Sequence, residues 1–289
     1  MTERIRFDGE TITSRQNRRI VELMKLDDRR ARENTRRFRF DGIKLLCEAI
    51  RRGVELDSLF LRAGTADKVQ ARMAELYGCS LSQVGCPIFC VEDGLFEKIS
   101  QENAPEGVIT VAKYIDKFHK NIIIYNKDEI DLPEAPVILL ESVRDPLNVG
   151  AIIRSAAALG VGHLILSADC ADIYHPRTVR AAMGPLFSMP ITRAEDLAGT
   201  IRALRSAGRK VYAAALDDTA LRLGSPELAA EQGSCTGRRA CAVIGNEGHG
   251  LSQAVVNACD RSVYIPMQAN TESLNAGVAA ALIMWELCK

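Results

Sequence analysis

The chain has 289 residues, 47% of them hydrophobic and 26% charged, with 21 glycines and 10 prolines. This make-up fits a folded chain of one large or two ordinary domains and excludes collagen-like, mucin-like and disordered readings. Lys plus Arg and Asp plus Glu are 37 each, so the net charge is zero and says nothing of partners.

The start of the chain shows no secretory signal, and no run of about 18 apolar residues suggests a membrane span. Nine cysteines (Cys47, Cys79, Cys86, Cys90, Cys170, Cys235, Cys241, Cys259 and Cys288) are odd in number and scattered. They are expected to be free, mostly buried thiols of a reducing, cytoplasmic setting. Cys79, Cys86 and Cys90 lack a fourth ligand at zinc spacing, so no metal is expected.

The zero total hides an uneven distribution. Residues 1–53 hold 15 Lys/Arg against 9 Asp/Glu, and residues 54–289 hold 22 against 28. Ser14 precedes a stripe of Ile20, Val21, Leu23, Met24 and Leu26, which predicts a helix over 15–26 with Ser14 as its cap. The basic excess peaks between Arg15 and Arg39, where Arg15, Arg18, Arg19, Arg29, Arg30, Arg36 and Arg37 stand out. Guanidinium forks suit phosphate oxygens, and counterion release from a polyanion would drive binding. A solvated face balanced by Glu22, Asp27, Asp28 and Glu33 is the competing reading, and both stay open at this point. A helix over 43–50, a strand over 59–61, a helix over 68–77 and a strand over 108–111 complete a small α/β domain ending at Lys113. Residues 114–136 read as a linker closed by Pro133 and Pro136, with an additional strand at 122–125.

From Val137 the pattern becomes regular. Strands are expected at 137–140, 163–166, 211–216, 241–244 and 262–265. Helices are expected at 150–159, 179–183, 195–206 and 274–288. Short apolar strands alternating with helices predict a parallel sheet covered on both faces. The last helix is apolar nearly all round and is expected to be buried. On such sheets ligands bind beyond the carboxyl ends of the strands. Three loops there are unusual. ESVRDPLNVGAIIR runs from Glu141 to Arg154, with Asn148 a candidate cap. GNEGHGL runs from Gly245 to Leu251 and lacks both the dinucleotide glycine order and the Lys-Ser/Thr of a phosphate loop. IPMQANTESLNAG runs from Ile265 to Gly277, with Ser273 and Asn275 bracketing a helix start that directs free amides outward.

Together these loops resemble the SpoU family of RNA ribose 2′-O-methyltransferases, within the SPOUT superfamily. The family spacing N-x-G-x-x-x-R is met by Asn148, Gly150 and Arg154. G-x-E-G-x-G is met by Gly245, Glu247, Gly248 and Gly250. I-P-M followed by S-L-N is met by Ile265, Pro266, Met267, Ser273, Leu274 and Asn275. Residues 175–190 are also similar to the family's intervening segment. The resemblance implies a parallel-sheet SPOUT domain with a trefoil knot over 137–289, and a homodimer formed through it. It implies S-adenosylmethionine as cofactor, bound by Leu216, Gly245, Asn246, Gly248, Ile265, Met267 and Leu274. The expected catalytic residues are Arg154, Asn148, Glu247, Ser273 and Asn275. Residues 1–113 look like the family's L30e-like substrate-binding domain, which would contact RNA through the seven arginines named above. One departure is Asn275-Ala276-Gly277, where the family commonly has Asn-Val-Ser.

Methyl transfer to a ribose hydroxyl asks for in-line placement, proton removal and exclusion of water. The family assigns proton removal to the position of Arg154. Arginine as a residue type is a poor base, so stabilising the developing alkoxide and holding a phosphate suits it better. Asn148 would orient Arg154, and Glu247 would accept from Arg154 or Asn148. Ribosomal RNA is the favoured substrate. Transfer RNA, or RNA binding without turnover, are the alternatives. Deleting residues 1–113 should cost RNA binding more than cofactor binding.

Overall fold

The structure is a computed structural model that describes residues 7–116, 119–121, 132–234, 240–268 and 273–288. Its contacts divide the chain into two units, Met1–Ile115 with Tyr174–Phe187, and Asp116–Ile173 with Ser188–Lys289.

The first unit opens with α1 (Arg18–Lys25) and α2 (Arg29–Thr35). Asn17, not Ser14, caps α1. Its side chain accepts the Arg19 amide at 3.0 Å, while Ser14 Oγ takes the Gln16 amide in the turn before. The helix therefore starts at Arg18, three residues later than the expected start at residue 15. There follow β1 (Arg37–Asp41), α3 (Ile43–Arg51), β2 (Leu56–Arg62), α4 (Ala66–Tyr77), β3 (Ile88–Val91), α5 (Asp93–Ile99) and β4 (Val108–Lys113). The sheet order is β1-β4-β2-β3, with β3 parallel to β2 and the other pairs antiparallel. Alternation along β2 fills both faces. Leu59 and Leu61 join Ile43, Leu46 and Met73, whereas Phe60 joins Ile20, Leu23, Phe89 and Phe96.

Strand β1 lies inside the arginine run. Phe38 and Phe40 are buried as expected of a strand, but so is Arg39 between them. Arg39 donates to the Ile99 carbonyl at 3.0 Å, and Arg32 to the Leu26 and Asp27 carbonyls at 2.8 and 2.9 Å. These two guanidiniums tie loops together instead of facing solvent. On β1's aromatic side, Phe38 meets Tyr174 and Phe40 meets Phe187, at centroid distances of 4.7 and 5.5 Å. Tyr174 also stacks on Tyr114 and accepts the Ile115 amide through its hydroxyl at 2.8 Å. The expected division at residues 113 and 137 is thus revised. The segment Tyr174–Phe187, with its helix Pro176–Ala182 (α7 in chain order), belongs to the first unit because its aromatic side chains complete that core.

In the second unit the elements are β5 (His119–Asn121), β6 (Val137–Leu140), α6 (Pro146–Leu159), β7 (His163–Ser167), β8 (Ile191–Ala194), α8 (Leu197–Ser206), β9 (Lys210–Ala214), β10 (Leu221–Arg222), α9 (Pro226–Ser234), β11 (Ala240–Ile244), α10 (Gln253–Ala258), β12 (Arg261–Tyr264) and α11 (Ala276–Leu287). All eight strands among the described residues run parallel in the order β10-β12-β9-β11-β6-β7-β8-β5. The parallel sheet expected from the sequence is present. The stretch expected as a linker carries β5, which pairs with β8, and the strand expected at 122–125 lies outside the described residues. On one face Leu139, Ile165, Ile201, Val211, Val243 and Val255 form a core with α8 and α10. On the other, α6 and α11 pack on each other, and α11 packs on β11.

Two expectations about α6 and α11 change. Asp145, not Asn148, caps α6, by accepting the Leu147 amide at 2.9 Å ahead of Pro146, and Asn148 lies buried one step inside the helix. A proline in the first turn needs no amide partner, which fixes the start there. Helix α11 is only partly buried: Val278, Leu282 and Trp285 are 49%, 41% and 60% exposed within the single chain. Their spacing places them on one side of the helix, so the apolar composition that predicted burial here covers a face the chain itself leaves open. No helix among the described residues is long and apolar enough to cross a membrane.

Candidate active site

Four neighbouring strands end together. The register pairs Leu140 with Ile244, Val243 with Ala213 and Val263 with Ala214. The next residues, Glu141 after β6, Gly245 after β11, Ala215 and Leu216 after β9, and Ile265 after β12, therefore emerge at one edge of the sheet. The unusual loops of the sequence start there.

The loop after β11 closes on itself. The Asn246 and Gly250 amides each donate to the other's carbonyl at 3.0 Å. Asn246 Oδ1 accepts the Gly248 and His249 amides at 2.8 and 3.2 Å, and its Nδ2 donates to the Ser142 carbonyl at 2.8 Å. A Cβ on Gly245 would lie 2.4 Å from the Gly250 carbonyl carbon, so only glycine permits this closure. Glu141 anchors the far end by accepting both the amide and the hydroxyl of Ser252, at 2.8 and 2.6 Å.

Glu247 stands on this loop and accepts from Asn148 Nδ2, while Asn148 Oδ1 accepts from Asn275 Nδ2 at 2.8 Å. Asn275 Oδ1 in turn caps α11 by taking the Gly277 and Val278 amides at 3.0 and 3.3 Å. Three side chains from three distant segments, helix α6, the loop after β11 and the start of α11, thus form one hydrogen-bonded line. Gly277, where the sequence departs from the family pattern, is closely surrounded. A Cβ there would come within 3.2 Å of Asn275 Oδ1 and 3.3 Å of Ala151 Cβ, where α11 meets α6.

The other expected catalytic residues lie outside that line. Arg154 is exposed on α6 and makes no hydrogen bond or ion pair among the described residues. Six residues turn a helix through roughly 240° net, so Arg154 leaves α6 on a different side from Asn148, and the expected contact of Arg154 with Asn148 or Glu247 is not formed. Ser273 is exposed and is not the helix cap, a role Asn275 takes. Of the expected cofactor residues, Gly245, Asn246 and Gly248 make the closed loop. Leu216 and Met267 are 81% and 45% exposed apolar side chains beside it in sequence register, and Ile265 and Leu274 are half-buried. Exposed apolar side chains where neighbouring strands end, beside a loop of close-set amides, suit a ligand with both an apolar ring and charged ends. The sequence reading did not single out Glu141 or Ser142 as structural anchors, although both lay within the first loop.

The arginines expected to meet RNA have mixed surroundings. Arg18 pairs with Glu22 at 2.9 Å and Arg29 with Glu33 at 2.8 Å, both on exposed helix faces. Arg37 pairs with Asp57 at 3.1 Å, Arg19 lies 3.8 Å over the Phe89 ring, and Arg36 lies 4.6 Å over Tyr114. Arg15 and Arg30 are exposed. The exposed Arg18 and Arg29 pairs contribute about 0–1 kcal/mol each, so they do not withhold these two guanidiniums from a stronger anionic partner. Among the described cysteines none is in a disulfide, and burial pushes the Cys47, Cys86 and Cys259 thiols up to about 12 and Cys241 up to about 11.

Comparison with known proteins places this geometry in context. The SpoU rRNA Methylase family matches residues 135–285, and the MRM3-like substrate binding domain matches residues 17–110. A Bacillus subtilis protein named 23S rRNA (guanosine(2553)-2′-O)-methyltransferase RlmP is 25% identical over 276 residues, 96% of this chain and 98% of its own. A Mycobacterium leprae protein named as a tRNA/rRNA methyltransferase is 30% identical over 256 residues, 86% of this chain and 76% of its own. The structure of the SpoU methyltransferase AviRb from Streptomyces viridochromogenes with AdoMet superposes with a TM-score of 0.74 at 26% identity, covering 94% of this chain and 97% of that one.

Proposed function

The chain belongs to the SpoU rRNA methylase family, and from that premise we propose how its residues carry out S-adenosylmethionine-dependent 2′-O-methylation of ribosomal RNA. When bound, S-adenosylmethionine supplies an electrophilic methyl group. The residues present fit that group. The closed loop from Gly245 to Gly250 offers backbone groups, and exposed Leu216 and Met267, with Ile265 and Leu274, offer apolar surface at the same strand ends.

The observation that carries the reading is the line Glu247–Asn148–Asn275. It joins segments 99 and 127 residues apart in the chain, and they are the three segments whose residues define the family spacing. Asn148 and Asn275 fix the relation between α6, α11 and the loop, and Glu247 accepts from this line. Arg154, exposed and without a partner among the described residues, is assigned to holding the substrate phosphate and stabilising charge that develops on the ribose oxygen. Ser273, exposed ahead of α11, is assigned to the ribose. Transfer of a labelled methyl group from the cofactor to RNA, followed by nuclease mapping, tests the reading. The expected product is a single 2′-O-methylated ribosomal nucleotide, and a base-methylated product would refute it.

The finer parts of the reading are proposals of the same kind. The first unit is assigned as an L30e-like RNA-binding domain, supported by its four-stranded mixed sheet and its exposed arginines. A trefoil knot in the second unit is supported by β11, which enters the sheet between β6 and β9 instead of at an edge. A homodimer through the second unit is supported by the exposed apolar face Val278, Leu282 and Trp285 on α11. A cytoplasmic location is proposed together with the ribosomal substrate.

A further inference from the structure

We infer that Asp169, a residue outside every motif of the site, is a positioning residue that sets the loop from Gly245 to Gly250 through the backbone of Ser142. The connection is built bond by bond. Ser142 follows β6 and has φ +55, a strained conformation uncommon for a residue other than glycine. Something must hold it there. Its amide donates to Ser167 Oγ at 2.9 Å, and its hydroxyl donates to Asp169 Oδ2 at 2.6 Å. Ser167 Oγ donates to Asp169 Oδ1 at 2.6 Å, and Arg144 reaches Asp169 Oδ2 at 3.1 Å. One carboxylate therefore grips Ser142 both directly and through Ser167.

With Ser142 turned in this way, its carbonyl accepts from Asn246 Nδ2, while the other end of the Asn246 carboxamide gathers the Gly248 and His249 amides. The next residue, Glu247, receives Asn148. Asp169 is thus the outer end of a line that runs through Ser142, Asn246, Glu247 and Asn148 to Asn275. Against the upward pull of partial burial, hydrogen bonds from Ser142, Ser167 and Arg144 hold the Asp169 carboxyl down to about 2. It is therefore a charged acceptor throughout the neutral range, and charge-assisted bonds are the stronger kind.

The importance of the loop for the methyl donor rests on the proposed function, so the test reads the loop by itself as well as the donor. Hydrogen exchange of the full-length Asp169→Ala protein is compared with that of the parent chain. The Gly248 and His249 amides are expected to exchange at least about tenfold faster, the loss of roughly one hydrogen bond, with the core strands β6, β7 and β11 unchanged. Unchanged exchange at those two amides in the folded variant would overturn the inference. Ser142→Ala removes the hydroxyl and leaves the strain, and should show the same local effect. Asp169→Asn keeps an acceptor for Ser167 and a donor for Ser142 Oγ, and should restore most of the protection. Calorimetry with S-adenosylmethionine should show Asp169→Ala weakening binding by about tenfold, with KM for the donor rising more than kcat falls. Equal affinity for Asp169→Ala and the parent would also overturn the inference. Absence of donor binding by the parent chain would remove the proposed function, and the exchange rates would still decide the role of Asp169.

Discussion

The carboxamide of Asn148 uses both its ends: Nδ2 donates to Glu247 and Oδ1 accepts from Asn275. An amide can do this and a carboxylate cannot. Asn148→Asp would set two acceptors, with like charge, against Glu247. We expect kcat to fall roughly 10- to 100-fold, from weakened bonds worth about 1 kcal/mol each and an added repulsion. Steady-state kinetics beside thermal melting of the variant would check this, and unaltered kcat would break the link between the line and catalysis. Arg154 poses the opposite case, since it makes no bond to lose among the described residues. Arg154→Ala should cut turnover by roughly 100-fold or more while calorimetry finds S-adenosylmethionine affinity within a few-fold of the parent. Retained turnover would remove Arg154 from the reaction.

At the scale of elements, two features of the second unit bear on the proposed function. The loop after β11 closes because Gly245 has no Cβ to meet the Gly250 carbonyl carbon at 2.4 Å. The obstacle is backbone, which cannot swing aside. Gly245→Ala should therefore abolish measurable donor binding while circular dichroism stays that of the folded parent. A variant that binds the donor normally would show that the loop is not the donor's cradle. Helix α11 is the second feature. Its buried side, including Ala280, Ile283 and Met284, packs within the unit, and its other side presents Leu282 and Trp285 to solvent. Burying side chains of this kind stabilises an association by about 1.5–3 kcal/mol each. Leu282→Glu with Trp285→Glu should convert a dimer to a monomer in sedimentation experiments, and an unchanged mass would place the subunit contact elsewhere.

For the molecule as a whole, the proposed function assigns chemistry and RNA affinity to different units, and the two should then separate experimentally. Removing residues 1–113 is a blunt way to ask, because Tyr174 and Phe187 would lose Phe38 and Phe40. Charge reversal is cleaner. Arg15→Glu with Arg30→Glu should weaken RNA binding roughly tenfold at low salt and reduce the salt slope by about one per lost phosphate contact, with donor affinity unchanged by calorimetry. An unaltered salt slope would mean that RNA lies elsewhere. Much of this organisation was legible in the chain. Runs such as Val137–Leu140 and Ala240–Ile244 are apolar at every position, which marks strands buried on both faces, and the glycine spacing after Ile244 marks a loop with little room for side chains. Strand β1 was not legible, since its buried Arg39 is charged and only tertiary partners, the Ile99 carbonyl and the Asp27 carboxylate, make that burial tolerable. The sequence by itself determined the parallel sheet, the chemistry-bearing loops and the residue types they carry, because these depend on local periodicity and spacing. Only the tertiary structure decided that Asn148 faces Glu247 and Asn275 while Arg154 does not, that Tyr174–Phe187 completes the first unit's core, and that Asp169 grips Ser142. Those facts depend on which distant segments meet, and hydrogen bonds between residues 25 to 127 positions apart leave no periodic trace along the chain.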